Sequence, residues 1–571
     1  MSRAIRFVLL ALAAVLLTSV TVATSAAKPT ATTADPPAAG NGFEASPTQQ
    51  SMSLAPLVGQ PKRPNIVVIM TDDARNDDLQ YMPHVRHLIE DQGVRFTNTF
   101  SPQPLCCPAR ASFLTGEYSH NHHVWSHVFP FGFRALRDKS TVPVWLNDVG
   151  YDTIFLGKYL NGYGIQTLRN GQPSLRYVPP GWTNWMGSVD GGIAAGTGLD
   201  GGTYRYFDTT LNDNGRLEAH QGAYQTDLFA HISEDVFRQE ALSPHPFFYW
   251  ASFVAPHYGS PAESDDPKPI RRTDGKLQTF ETPARPKSVW SRFDNTITHA
   301  PGYRGEKNVS DKPFFIRDLP PESAKEQVAD TEVARQRAQS LWLVDRQVAK
   351  MMRVLKETGQ LDNTYVLFTS DNGYFLGEHR MRQGKILPYE PSLRVPLLIR
   401  GPGIPKGQTR SDPFMTPDFA PTFLQMAGAR PEAQDDGISL LGVAEHGDVG
   451  WTRGILTETG PRDVSGDVAE SDNFLQLKHG PSPLRFSQGV RTGDYLYVEH
   501  ASHEKELYDL RTDEREVHNL VYLPKERRVV RALAKMLDEL RNCKGVGCSI
   551  PLPKFLQTTH PAPTFPDGAY D

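Results

Sequence analysis

Apolar residues recur along this chain in two rhythms. Short, nearly unbroken runs, of which Asn65-Ile-Val-Val-Ile-Met70 is the clearest, carry the β-branched composition of strands buried on both faces of a parallel sheet. Similar runs lie at Phe247–Phe253, Thr364–Thr369 and Pro396–Ile399. Between them the spacing lengthens to three or four residues. It is most regular from about Ala329 to Thr358, where Ala334, Ala338, Leu341, Val344, Val348, Met352 and Leu355 share one helical face and Gly359 supplies the stop. Strands alternating with helices predict an α/β fold with helices on both faces of the sheet.

Three of these runs lead into chemically capable residues: Asp72-Asp73, Pro256-His257 and Asp371-Asn372. Ligands of open α/β sheets bind at the carboxyl ends of strands. Any one pair reads equally well as a turn or a helix cap, whereas three in register with strand ends predict a site. Beyond about Gly428 the pattern shifts to short alternating runs, Arg485–Arg491 and Tyr495–Val498, followed by a charged helix from about Pro524 to Asn542. A smaller antiparallel sheet with one helix packed on it is expected there.

The N-terminus has Arg3 and Arg6, an apolar run from Phe7 to about Val22, and small residues through Ala27. This is the layout of a secretory signal, and the run is shorter than the roughly 20 residues of a membrane span. The expected organisation is a signal peptide over residues 1–27, a Pro/Ala/Thr-rich linker over 28–60, a catalytic domain over 61–430, a C-terminal subdomain over 431–549 and a tail over 550–571. The location implied is extracytoplasmic, secreted or at the cell envelope, with no stable membrane span. A net charge of −5 over 571 residues, without a dense basic block, argues against nucleic acid as a partner. Four cysteines fall into two pairs. Cys543 and Cys548 close a short Gly-containing loop that suits a disulfide in an exported protein. Neighbours such as Cys106 and Cys107 rarely bridge, because the backbone strains the bond.

The segment Leu105-Cys-Cys-Pro-Ala-Arg-Ala-Ser-Phe-Leu-Thr-Gly116 resembles the signature of the formylglycine-dependent sulfatases, Cys-x-Pro-(Ser or Ala)-Arg followed by a helix ending in Thr-Gly. The resemblance implies an alkaline-phosphatase-like fold and oxidation of Cys106 to formylglycine by a formylglycine-generating enzyme. In the mechanism so implied, one hydroxyl of the hydrated aldehyde attacks sulfur and the ester alcohol leaves. The second hydroxyl then expels sulfate, so one hard step becomes two easier ones. Cys107 occupies the family's variable position.

Attack on an anionic ester needs concentrated positive charge. Asp72, Asp73, Asp371 and Asn372 offer only oxygen donors, which suit one calcium ion best, magnesium next and zinc poorly. The resemblance implies the same metal set, with Cys106 completing it, and calcium as the ion. It also nominates Arg110, Lys158, His257 and Lys385 as catalytic residues: Lys158 and Lys385 on the sulfate, and His257 near the leaving oxygen as a candidate general acid. One position departs from the pattern. Many sulfatases carry a histidine two residues after the lysine matching Lys158, and this chain has Leu160. Asn161, His120, His122 and His123 stand as candidates for the missing base.

The Cys-Cys-Pro start, the Ser119-His-Asn-His-His-Val124 run and Lys158-Tyr-Leu-Asn161 are most similar to the N-acetylglucosamine-6-sulfatase branch, which implies a sulfated amino sugar or glycosaminoglycan as substrate. Two other readings stay open: a phosphate or phosphonate ester hydrolase using the same nucleophile, and a non-catalytic protein that binds sulfated glycans.

Overall fold

The computed structural model describes residues 62–562, apart from 128, 195, 304, 431, 433 and 461–485. The expected signal peptide, the linker, Arg485 and the last nine residues of the tail lie outside the described residues.

Ten strands form the main sheet: β1 (Asn65–Asp72), β2 (Val94–Phe96), β3 (Asp152–Lys158), β4 (Asn184–Ser188), β5 (Asp208–Asp213), β6 (Arg216–Gln221), β7 (Phe247–Pro256), β8 (Thr364–Ser370), β9 (Leu397–Arg400) and β10 (Gln408–Arg410). Their order is β10-β2-β9-β8-β1-β7-β3-β4-β5-β6. The five central strands, β8 to β4, run parallel. Antiparallel pairs flank them on both sides, so the run at Pro396–Ile399 becomes β9, antiparallel to β8.

Why β1 needs an unbroken apolar sequence is visible in its packing. Ile66, Val68 and Met70 enter a cluster with Phe113 of helix α1 (Cys106–Thr115) and Phe423 of a later helix. Val67 and Ile69 face the other way, into a cluster with Phe229 of α2 (Gln225–Glu240) and Val344 and Val348 of α3 (Ala324–Glu357). The period-two alternation of a strand thus meets helices on both sides, which is the alkaline-phosphatase-like α/β arrangement expected. The later helix is α4 (Phe419–Met426).

The long helix begins five residues earlier than its apolar periodicity suggests. Ser323 and Glu326 form a reciprocal capping box, in which the Ser323 Oγ accepts from the Glu326 N–H at 3.3 Å and the Glu326 carboxylate accepts from the Ser323 N–H at 2.8 Å. The polar first turn hides this start from a reading based on hydrophobic spacing.

The C-terminal region forms the smaller antiparallel sheet: β11 (Ile455–Thr459), β12 (Ser487–Arg491), β13 (Tyr495–His500) and β14 (Lys505–Asp509), paired in that order. Helix α5 (Arg527–Leu540) lays Leu533, Leu537 and Leu540 against Val490 and Leu496. A buried charge cluster ties this sheet to the main body: Glu390 accepts from Arg491 Nε of β12 at 2.7 Å and also from Arg394. Cys543 and Cys548 form the expected disulfide.

Candidate active site

The site assembles where β1, β3, β7 and β8 end and α1 begins. A register shift in the β1–β7 pairing after Met70 sets Asp72 opposite Pro256, which carries His257 to the carboxyl end of β1. Asp73 follows in the left-handed region, φ 69°, a conformation that Asp tolerates better than most L-residues. Its N–H donates to Asp371 Oδ1 at 3.1 Å, and Asn372 Nδ2 donates to its Oδ1 at 2.6 Å.

Cys106 is the first residue of α1, where unpaired N–H groups and the helix dipole favour negative charge. Its Sγ lies 3.2 Å from Asp72 Oδ1, 3.9 Å from Asp73 Oδ1 and 2.8 Å from Lys385 Nζ. One turn on, Arg110 donates through Nε to Asp371 Oδ2 at 2.8 Å, and through Nη1 to the Lys158 carbonyl at 2.8 Å and Ser252 Oγ at 2.6 Å. Lys158 pairs with Asp72, and Lys385 with Asp73. His257 Nδ1 donates to the Tyr258 carbonyl at 2.8 Å, leaving Nε2 turned toward Asp73 Oδ2 at 3.8 Å. All nine residues nominated from sequence therefore meet in one place, none more than 2% exposed.

Three carboxylates and three cations balance one another in this buried setting, as buried charges must. Burial would raise the Asp72 carboxyl, but Lys158, then His257, hold it at about 2. Burial works against the charge on Arg110, and Asp371 and Asp72 more than compensate. Burial, joined by Asp72, pushes the Cys106 thiol well above its ordinary value, so the unmodified side chain is a neutral thiol.

The donor set fits a hard cation. One ligand atom each from Asp72, Asp73, Cys106 and Asp371 lies within 4.8 Å of the others. Asp73 Oδ2 and Asn372 Oδ1 are buried without a hydrogen-bond partner, an arrangement that leaves oxygen lone pairs available to a metal.

The candidate bases behave differently. His120 is held by Glu458 on Nδ1 and by the Cys543 carbonyl on Nε2, at 3.2 and 2.9 Å. His122 is 3.0 Å from Ser112 Oγ and accepts from the Val124 N–H, and burial holds its pKa at about 3. His123 is exposed. Among the described residues, none of these three histidines hydrogen-bonds to the nine. Asn161 lies nearer, donating to Tyr204 OH at 2.6 Å.

Some supporting residues escaped the sequence reading. Arg337 of α3 donates to the Asp73 carbonyl at 2.5 Å and to the Pro256 carbonyl at 3.4 Å, clamping the ends of β1 and β7. A signal was present, since Arg337 stands next to Ala338 on the apolar stripe of its helix. Tyr204 places its ring 4.9 Å from Lys158 Nζ and 4.8 Å from the His257 ring. It comes from a Gly-rich loop with no periodicity to mark it.

A family model described as Sulfatase matches residues 64–429. The chain belongs to the sulfatase family. It is accordingly a sulfuric-ester hydrolase. This sulfatase is 32% identical over 526 residues to an arylsulfatase of Volvox carteri, covering 86% of this chain and 76% of that one. It is 31% identical over 413 residues to N-acetylglucosamine-6-sulfatase of Homo sapiens, covering 70% and 67%. Its fold is similar to a structure solved in complex with its substrate D-glucosamine-2-N, 6-O-disulfate, with a TM-score of 0.64, 22% identity, and coverage of 84% and 97%.

Proposed function

We propose that this sulfatase removes the 6-O-sulfate of N-acetylglucosamine in a glycosaminoglycan or related glycan, with Cys106 oxidised to formylglycine as its nucleophile. The observation that carries the reading is the seat of Cys106, at the N-terminus of α1 between Asp72 and Lys385. The Cys-Cys-Pro, Ser119–Val124 and Lys158–Asn161 segments support the choice of sugar, as does the similarity to the human enzyme.

In this reading Asp72, Asp73, Asp371, Asn372 and the side chain of residue 106 hold one calcium ion. Calcium would supply positive charge that offsets repulsion between the anionic ester and the attacking oxygen. Arg110, locked by Asp371 and Ser252, gives a fixed guanidinium for the sulfate. Lys158 and Lys385 bring ammonium groups to other sulfate oxygens. His257, its Nδ1 proton committed to the Tyr258 carbonyl, carries the transferable proton on Nε2 when charged and delivers it to the departing alcohol. A formylglycine-generating enzyme acts on the chain during maturation, and residues 1–27 direct export to a secreted or cell-envelope location. Among the described residues no helix is long and apolar enough to cross a membrane, and the disulfide suits an oxidising compartment.

The test is the mass of the peptide spanning residue 106 from native-host protein, together with sulfate release from 6-sulfated N-acetylglucosamine, an aryl phosphate and a phosphonate ester. An aldehyde mass with release from the sugar is expected. An aldehyde with preferential phosphate or phosphonate turnover would replace the substrate, and an unmodified thiol in active protein would overturn the nucleophile.

A further inference from the structure

Outside the Cys106 cluster, basic residues dominate a cleft of about 540 Å³ between the loops at 126–141 and 162–178. Arg134, Arg137, Lys139 and Arg169 line it, against the single carboxylate of Asp138. Asp138 is itself occupied, accepting from Tyr177 OH at 2.5 Å. Among the described residues, none of the four cations forms an ion pair with a carboxylate.

Two of the cations are set in place by hydrogen bonds, three of them to main-chain carbonyls. Arg134 donates to Thr167 Oγ1 at 3.3 Å and to the Arg169 carbonyl at 3.4 Å, while Arg169 donates to the Arg134 carbonyl at 3.2 Å and to that of Ala135. The two loops thus clamp each other through guanidinium groups whose charge the carbonyls do not neutralise. Each guanidinium has five N–H donors and these contacts use two, so anion-binding capacity remains and its ordering entropy has already been lost on folding. The field reaches the neighbouring loop as well: after burial, Arg137, Arg169 and Lys544 are the main influences that depress the His123 pKa. The cleft is joined to the end of β3 through packed side chains. Phe133 on its wall packs edge-on against Tyr159 and Tyr163, at 6.2 and 5.8 Å, and Tyr159 directly follows Lys158.

We propose that this cleft binds a second anionic group, a sulfate or carboxylate, on a polyanionic glycan whose 6-sulfate occupies the Cys106 site. The inference rests on the proposed glycan activity and deepens it: the substrate is a charged chain, held at two points, rather than a lone sulfated sugar. A cationic ligand meets mostly like charge here, whereas anions spaced along a chain meet counter-charges, two of them held in place.

The test pairs Arg137→Glu with Lys139→Glu, both on exposed side chains. Calorimetry in a Cys106→Ala background measures affinity for a sulfated glucosamine-containing octasaccharide. Steady-state kinetics of the otherwise native enzyme compare that octasaccharide with N-acetylglucosamine-6-sulfate. The double variant should bind the octasaccharide about tenfold more weakly, with the wild-type advantage shrinking as salt rises, and should turn over the monosaccharide at the wild-type rate. Unchanged octasaccharide affinity would overturn the proposal, and so would an equal loss on both substrates. Equal competition by a charge-matched DNA strand would overturn the assignment to glycans. If native protein released sulfate from neither sugar, the function itself would fail, while the binding measurement, which needs no turnover, would still decide the cleft.

Discussion

Replacing Arg337 with methionine removes a clamp that is remote from the reacting atoms in sequence but joins the strand ends bearing them. The methionine keeps the unbranched stem of the side chain but not the guanidinium, which lies over the Tyr374 ring at 4.3 Å. It leaves the Asp73 carbonyl without its 2.5 Å donor and the Pro256 carbonyl without its longer one. A hydrogen bond from a charged donor contributes about 1.5–3 kcal/mol, and the weaker contact adds less. Asp78, 3.7 Å from the guanidinium, is raised to about 6 by burial, against the opposing effect of Arg337. Without that cation its carboxylate is disfavoured further, which adds about 1–2 kcal/mol to the loss. Together these terms give about 4 kcal/mol. Spread over the unfolding entropy of about 500 residues, this is a fall of about 4 °C in Tm. Because the clamp sets His257 against Asp73, kcat/KM should fall by about 10- to 100-fold, with Arg337→Lys recovering part of it. Thermal unfolding and sulfate release, measured on the same preparations, check both numbers. A variant with wild-type Tm and wild-type kcat/KM would refute the positioning argument.

Cys106→Ala should abolish turnover while leaving Tm within about 2 °C of wild type, since the lost sulfur is small and bonded only within the site; calorimetry and an activity assay decide this together. Calcium added to metal-stripped protein should raise Tm, by the equivalent of about 2.7 kcal/mol at a hundredfold excess over Kd, and a flat titration would remove calcium from the account. Acid should loosen the link between the main body and the C-terminal sheet. Burial raises the Glu390 carboxyl, but Arg394 and then Arg491 hold it at about 2, below its value in an unfolded chain. Its contribution, about 3 kcal/mol, is therefore complete above pH 4.5 and lost as pH falls through 2. Glu390→Gln should flatten the stability profile across that window, and an unchanged profile would exclude Glu390 as its source.

Much of this protein was legible in its sequence because the signals are local. A strand buried on both faces must be continuously apolar, so β1, β7 and β8 announced themselves, as did the polar residues that follow each. The cysteine motif was equally local, and so were the oxygen donors that suit a hard cation. Other features depended on chain segments that meet only on folding. The β1–β7 register shift that sets Asp72 opposite Pro256 is a property of pairing between segments far apart in sequence. The engagement of His120 by Glu458 and the Cys543 carbonyl joins residues separated by more than 300 positions, and no spacing rule relates them. The start of α3 was set by a two-residue cap rather than by apolar spacing. The sequence alone determined which residue types stand at which strand ends, because hydrophobic periodicity and turn chemistry act over a few residues. Only the tertiary structure decided that Arg337 clamps two of those ends and that four basic residues from two loops share a cleft, because the contacts and fields involved depend on distances through space.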